Sequence, residues 1–194
     1  MGCIQIPVLV WLCLFYLAYL VKAMTLKKKG ITVALLGKGE KPRRALAVEV
    51  ILRFATLLGA IIQFASSIFP DIVWSVPVGL PIRLFGLVLL AAGNLAFISA
   101  MVTMRDNWRA GFEQNQNTSL VTNGIYRFSR NPAFLGFDLL YVGCAMVLPN
   151  IVNIVAAVAC LCLFHLQVLA EEQFCAEVFG KEYTDYQARV RRYI

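Results

Sequence analysis

Residues 118–136 read TSLVTNGIYRFSRNPAFLG, and residues 169–174 read LAEEQF. Between them lie two apolar runs, 132–148 and 151–170, joined by the turn Pro149-Asn150. A hairpin of two short apolar helices returns the chain to the face it left. The polar stretch and the adjacent carboxylates Glu171 and Glu172 therefore meet at one edge of an apolar layer. That junction reads as the active site, and the rest of the chain as its membrane scaffold.

Composition supports the apolar layer. Of 194 residues, 60% are hydrophobic and 15% charged, whereas soluble domains run nearer half apolar. The charges fall in blocks between apolar runs, the pattern of an integral membrane protein. The formal charge is +7. Because the basic residues flank apolar runs, they bear on topology and anionic lipid, and nucleic acid is excluded as the partner. The six cysteines include no CxxC pair. Cys160 and Cys162 lie about 200° apart around a helix, so they cannot share a ligand. Most of the others sit in apolar runs, where cysteine behaves as a small hydrophobe. His165 is the lone histidine, with no second ligand at metal spacing. Neither a disulfide nor a metal is expected.

Outward from the hairpin, residues 81–104, 45–69 and 4–21 form three further apolar runs. The expected fold is all-α, a polytopic membrane protein with about five transmembrane helices, the last two a short helical hairpin. It forms one domain, 1–194: a three-span scaffold over 1–104, then a catalytic loop, hairpin and tail over 105–194. Lys and Arg concentrate in 22–44, in 105–130 and in the tail, while 70–80 holds Asp71 and no Lys or Arg. The positive-inside rule then places the N-terminus outside and the C-terminus and active site at the cytoplasmic face. Glu49 and Arg53, four apart, read as a structural ion pair near the interface. Gly86 and Gly93 share a face beside Asn94, where a second helix can approach closely. Arg83 can snorkel at the outer end of its span. The run 132–148 is short and contains Asp138, which calls for tilt or shielding by other helices. Gly180 ends a helix, and 183–190 reads as a short amphipathic helix lying on the membrane.

Asn131-Pro132 is a helix start, with Asn at the N-cap and Pro at the first helical position. Its free N–H groups and the adjacent Arg130 can hold an anion such as a ligand carboxylate. The run 118–121 precedes the turn dipeptide Asn123-Gly124, and an extended segment there offers backbone groups able to read an adenine edge. Tyr126 and Phe134 offer aromatic faces. Gln167 and Glu171 are four apart and share a helix face, and His165 and Glu172 share another. A carboxylate in that place can attract a cationic ligand or simply mark the end of a span.

The stretch LVTNGIYRFSRNPAFLG, the apolar hairpin and EEQFCAEVFGKEYTDYQARV together resemble the isoprenylcysteine carboxyl methyltransferase family and its phospholipid methyltransferase relatives. The family pattern is roughly L-V-T-x-G-x-Y-x-x-x-R-H-P-x-Y-x-G, then R-x-x-x-E-E, then F-G-x-x-Y-x-x-Y. The resemblance implies S-adenosyl-L-methionine as cofactor, S-adenosyl-L-homocysteine as product, and methyl transfer to the carboxylate of a C-terminal prenylated cysteine. It places Thr118, Ser119, Leu120, Val121, Gly124, Tyr126, Arg130, Asn131, Pro132, Ala133, Phe134, Glu171 and Glu172 at the cofactor, with Arg130 and Glu171 as the catalytic pair. Gln167 and Arg109 fall to the substrate, a prenylated cysteine or other lipophilic molecule reached through membrane lipid. Three positions depart from the pattern: Asn131 stands for His, Phe134 for Tyr and Gln167 for the Arg before the acidic pair. The last of these is the family's substrate-associated position.

Rival readings are a methyltransferase for a lipid amine or small thiol, with the Glu pair holding a cationic headgroup, and an NADPH-binding, sterol-reductase-like membrane protein. A non-enzymatic scaffold or transporter, with Asp138 and Asn94 lining a path, is the reading from another class.

Overall fold

Each apolar run becomes a helix. The computed structural model describes residues 4–38, 41–70, 75–111 and 119–194. Its α-helices are α1 (Gln5–Lys28), α2 (Arg43–Ile68), α3 (Leu80–Met104), α4 (Pro132–Val147), α5 (Ile151–Phe179) and α6 (Lys181–Arg189). Among the described residues, four helices, α1, α2, α3 and α5, are long and apolar enough to cross a membrane. Large apolar side chains such as Phe54, Leu95 and Val155 point outward from them. A surface so apolar is stable only against lipid, and the protein is an integral, multi-pass membrane protein.

α4 has 16 residues, about 24 Å of helix, short of the ~30 Å hydrocarbon layer. It is packed between neighbours instead of facing lipid. Gly86 and Gly93 of α3 lie against Gly143 and Gly136 of α4, so close that a Cβ on Gly93 would sit 2.8 Å from the Gly136 carbonyl oxygen. The small-residue face seen in α3 is thus matched by a second one, seven residues apart, on α4. An aromatic core fills the space beside it. Phe15 stacks on Phe97 at 4.2 Å, and Phe137 meets both Phe97 and Phe164 at 5.0 Å. That core ties α1, α3, α4 and α5 together at an offset or edge-on geometry favoured by ring quadrupoles.

The helix ends sort into two layers. At one end Arg83 Nη1 donates to the Val147 carbonyl (3.0 Å), Asn150 reaches Ser66 (3.3 Å), and the Val76 N–H meets the Pro149 carbonyl (2.6 Å). Arg83 does not simply snorkel to the surface, because it caps the last turn of α4. At the opposite end segment 31–37 pairs with 105–111. There the Leu35 N–H donates to Ala110 O, and the Ala110 N–H to Val33 O, both at 2.9 Å. Lys29 also binds Asp106 at 2.8 Å there. The C-terminal end of α5 and the tail join this second layer, so the three basic segments collect at one end of the bundle.

Two expectations change. The hairpin's second helix does not stop at Ala170. α5 runs unbroken to Phe179 over 29 residues, because residues 169–179 contain no Gly or Pro and are rich in helix formers. Glu171 and Glu172 are therefore rigid parts of a helix, in keeping with the faces they share with Gln167 and His165. Gly180, at φ +53°, ends it and turns the chain directly into α6, which starts at Lys181, two residues earlier than the sequence suggests. α6 buries Tyr183 and Tyr186 against the protein.

Candidate active site

The adjacent glutamates face different neighbours, since successive helical residues are about 100° apart. Glu172 is buried in a knot of donors. Asn131 Nδ2 lies 2.8 Å from its Oε1, and Arg130 reaches it through Nε (3.2 Å) and Nη2 (3.0 Å). Arg192 holds Oε2 through Nε at 3.1 Å and Nη2 at 3.0 Å. The hydrogen bond to Glu172 in turn raises the affinity of the Arg192 guanidinium for its proton. Arg130 spends its remaining donor, Nη1, on the carbonyls of Val190 (2.6 Å) and Gln187 (3.2 Å). This network clamps the start of α4, the middle of α5 and the C-terminal strap to one another.

The knot alters several expectations. Asn131 does stand at the N-cap of α4 with Pro132 following, but its side chain makes no capping bond. It is drawn to Glu172, because a buried carboxylate is the stronger acceptor. Arg130 and Glu172, expected at the cofactor, bind each other, with Arg192 as a second cation on the same carboxylate. His165, expected to share a face with Glu172, bonds instead through Nδ1 to the Tyr193 hydroxyl at 3.0 Å.

Glu171 faces the other way, toward α2 and the 3-10 helix Gly124–Arg127. Its Oε1 accepts a hydrogen bond from Gln167 Nε2 at 3.0 Å, the helix-face pairing anticipated from their spacing. Beside it stands Tyr126, buried, whose carbonyl accepts the Tyr186 hydroxyl at 2.7 Å. Burial, and then the nearby charge of Glu171, push the Tyr126 phenol well above its ordinary range. The same Gln167 nitrogen reaches Glu49 Oε1 at 3.3 Å. Glu49 does not pair with Arg53. It is fully buried and bound to Lys41 Nζ (2.5 Å) and the Gly37 N–H (2.8 Å), whereas Arg53 is exposed. The loop lysine wins because it can fold back over the helix start and be buried with its partner.

Residues 105–111 and 119–127 adjoin the site from the end of α3. Gly124 has φ +56°, and a Cβ there would lie 2.9 Å from Thr103, so only glycine lets the 3-10 turn seat on the end of α3. Ser119 Oγ is held by Asn107 Nδ2 at 3.0 Å. Leu120 and Val121 follow in non-helical backbone, Ala133 packs on the main core, and Phe134 packs toward Phe164 at 6.0 Å. Thr118 lies outside the described residues. Arg109 directs Nη1 at the carbonyls of Asp106 (2.6 Å) and Trp108 (2.8 Å). Its Nε is buried without a partner among the described residues. Gly111, two residues on, abuts Glu49 Oε1, which places this loop over the Glu49–Gln167–Glu171 group.

The structure thus brings Glu171, Gln167 and Tyr126 together and sets Arg130, Asn131 and Glu172 in a separate network. Glu49, Lys41 and Arg192 belong to these clusters and were not expected there. A buried acid in the first turns of an apolar span was the signal for Glu49, and the sequence offered the wrong partner four residues away.

Residues 82–182, more than half of the chain, match the phospholipid methyltransferase family model. Protein-S-isoprenylcysteine O-methyltransferase A of Arabidopsis thaliana is 32% identical over 109 residues, 55% of this chain and 55% of that protein. The Mus musculus protein-S-isoprenylcysteine O-methyltransferase is 31% identical over 108 residues, 54% of this chain and 38% of that protein. The solved structure of a eukaryotic intramembrane Ras methyltransferase, an isoprenylcysteine carboxyl methyltransferase, superposes with a TM-score of 0.55 at 25% identity. It covers 73% of this chain and 51% of that one. The chain spans about half the length of the curated relatives it matches. With the all-helical bundle and the placement of the motif residues, these similarities agree: the chain belongs to the phospholipid methyltransferase family, and within it resembles the isoprenylcysteine carboxyl methyltransferases.

Proposed function

We propose that the protein is an S-adenosyl-L-methionine-dependent carboxyl O-methyltransferase acting on the C-terminal carboxylate of a prenylated cysteine. The observation that carries this reading is Glu171: a carboxylate with a single hydrogen-bond donor among the described residues, Gln167, beside buried Tyr126 where the helices leave the apolar layer. The names of the relatives point to the same acceptor.

The residues fit such a cofactor. Glu171 retains acceptor capacity for a cationic group. Among the described residues, no backbone hydrogen bond engages 119–122, so their N–H and C=O groups are available to an adenine edge. Ser119, Leu120, Val121, Gly124 and Tyr126 would line the nucleoside, and Pro132, Ala133 and Phe134 the apolar wall beside it. Thr118 belongs to the same motif. The bound cofactor supplies an electrophilic methyl group. The acceptor carboxylate has a reference pKa of roughly 3.3–3.7 and is already ionised at neutral pH, so no general base is needed. What the chain contributes is alignment and exclusion of water. Arg130, Asn131 and Glu172 support the site by fixing α4 against α5. Gln167, with Arg109 in the loop above, lies on the substrate side.

The basic segments gathered at one end favour a cytoplasmic site, five crossings including the shielded α4, and an N-terminus outside. A prenyl chain reaches this end dissolved in lipid. Each CH₂ it buries is worth about 0.8 kcal/mol, so the chain dominates recognition and the headgroup sets direction.

Tritiated methyl transfer to N-acetyl-S-farnesylcysteine, with phosphatidylethanolamine as competitor, tests the reading. Transfer to the farnesylcysteine and not to its methyl ester is the expected result. One observation favours a second acceptor, a lipid amine: Gln167 replaces the family's Arg, and Glu49 and Glu171 flank it. Transfer to the lipid amine alone would select that reading.

A further inference from the structure

We propose that Glu49 is a positioning residue for Glu171, acting across helices through the amide of Gln167. The inference rests on the methyltransferase reading of Glu171 and adds to it a residue from the scaffold half of the chain. Carboxylates only accept hydrogen bonds, so the Gln167 nitrogen, with two protons, must face both acids. It stands 3.3 Å from Glu49 Oε1 and 3.0 Å from Glu171 Oε1. Both of its donors are therefore used to span α2 and α5. Gln167 and Glu49 are each fully buried, so water does not compete for either bond.

Glu49 is already paired from its other side. Lys41, its side chain also fully buried, ion-pairs with Glu49 Oε2, which the Gly37 N–H binds as well at 2.8 Å. The lysine thus neutralises Glu49. A leucine or methionine at position 167 would satisfy an apolar helix without cost. Glutamine there leaves its own Oε1 buried and without a partner among the described residues, a penalty that packing alone does not require. Both inter-span loops converge on the same acid. Segment 31–37 donates the Gly37 N–H, and a Cβ on Gly111 would lie 3.2 Å from Glu49 Oε1. Glu49 therefore registers the loop carrying Arg109 against the carboxylate on α5.

The test uses the full chain in lipid nanodiscs: calorimetry with S-adenosylhomocysteine, methylation kinetics with N-acetyl-S-farnesylcysteine, and melting temperature for each variant. Gln167→Met removes the bridge without stranding a charge. It is expected to weaken S-adenosylhomocysteine binding about tenfold and raise KM for the methyl donor by the same factor, with kcat falling less. Glu49→Gln takes the Glu49 charge away from Lys41 and leaves that cation beside Glu171, and it lowers affinity further. The double variant Lys41→Met/Glu49→Gln removes that cation, and it recovers affinity above that of Glu49→Gln. A merely structural pair would make the double variant no better than the single one, and that result overturns the proposal. Wild-type Kd and KM in Gln167→Met overturn it as well, and that variant decides the matter should Glu49→Gln not fold. A wild-type chain that binds no S-adenosylhomocysteine defeats the methyltransferase reading itself, and the positioning role with it.

Discussion

Glu171 and Glu172 are chemically identical neighbours, and helix geometry gives them opposite tasks. Glu172 receives two guanidinium groups and an amide, while Glu171 receives one amide. Glu171→Ala is therefore expected to abolish S-adenosylhomocysteine binding, a loss of at least about 100-fold given the 1.5–3 kcal/mol typical of a charged hydrogen bond and the ion attraction added to it, with little change in melting temperature. Glu172→Gln is expected to do the reverse. It strands Arg130 and costs about 3 kcal/mol of stability, the lower end of the range for breaking a buried pair. Arg192 is 37% exposed on its side chain, and Arg192→Ala should cost only about 1 kcal/mol, since Arg130 still neutralises the acid. Calorimetry and thermal unfolding of the three variants in one detergent check this ordering.

Among the elements, α4 has least margin. It is too short to cross the hydrocarbon layer unaided, and its closeness to α3 rests on two glycine pairs. A Cβ on Gly93 would meet backbone, which cannot rotate away, so the helices themselves must separate. Gly93→Ala is expected to destabilise the protein by roughly 1–3 kcal/mol, as overpacking does elsewhere, and Gly93→Leu by more. α4 carries Asn131 and Phe134 at its N-terminal end, close to the Gly136 contact, so the Leu variant should also lower cofactor affinity. Comparing melting temperature with S-adenosylhomocysteine Kd for the two variants tests the link. The α3 face was legible in the sequence from the spacing of Gly86 and Gly93. Its partner face on α4, Gly136 and Gly143, has the same spacing, but Gly136 read as the end of the motif and Gly143 as part of an apolar run.

For the whole molecule, the helix ends form two layers, and the basic segments share one of them. Single cysteines placed at Lys28 and at Arg189, in a chain with its own cysteines replaced, should react with a membrane-impermeant maleimide from the same side. Labelling from opposite sides would require an odd number of crossings between them and remove α4 as a span. Positive charge outside an apolar layer is costly to move across it, so this feature of topology follows from charge placement without detailed packing.

Composition and hydropathy by themselves determined that the chain is an all-helical membrane protein, where its apolar runs begin, and which end gathers the basic segments. Lipid imposes length and polarity on each segment separately, so those properties are local and can be read one segment at a time. The motif with its acidic pair was likewise visible in one stretch of chain. Which acid is tied up, and by what, was decided only in three dimensions. Glu49 and Gln167 are 118 positions apart, Arg130 and Glu172 are 42 apart, and Arg192 reaches Glu172 from the tail. The spacing of Glu49 and Arg53 suggested a pair that the fold does not make, because burial strengthens whichever ion pair water is excluded from, and the loop lysine is the one that is buried. Hydrogen bonds between distant segments leave no periodicity in sequence, and in this protein they separate the carboxylate offered to a ligand from the one that holds the helices together.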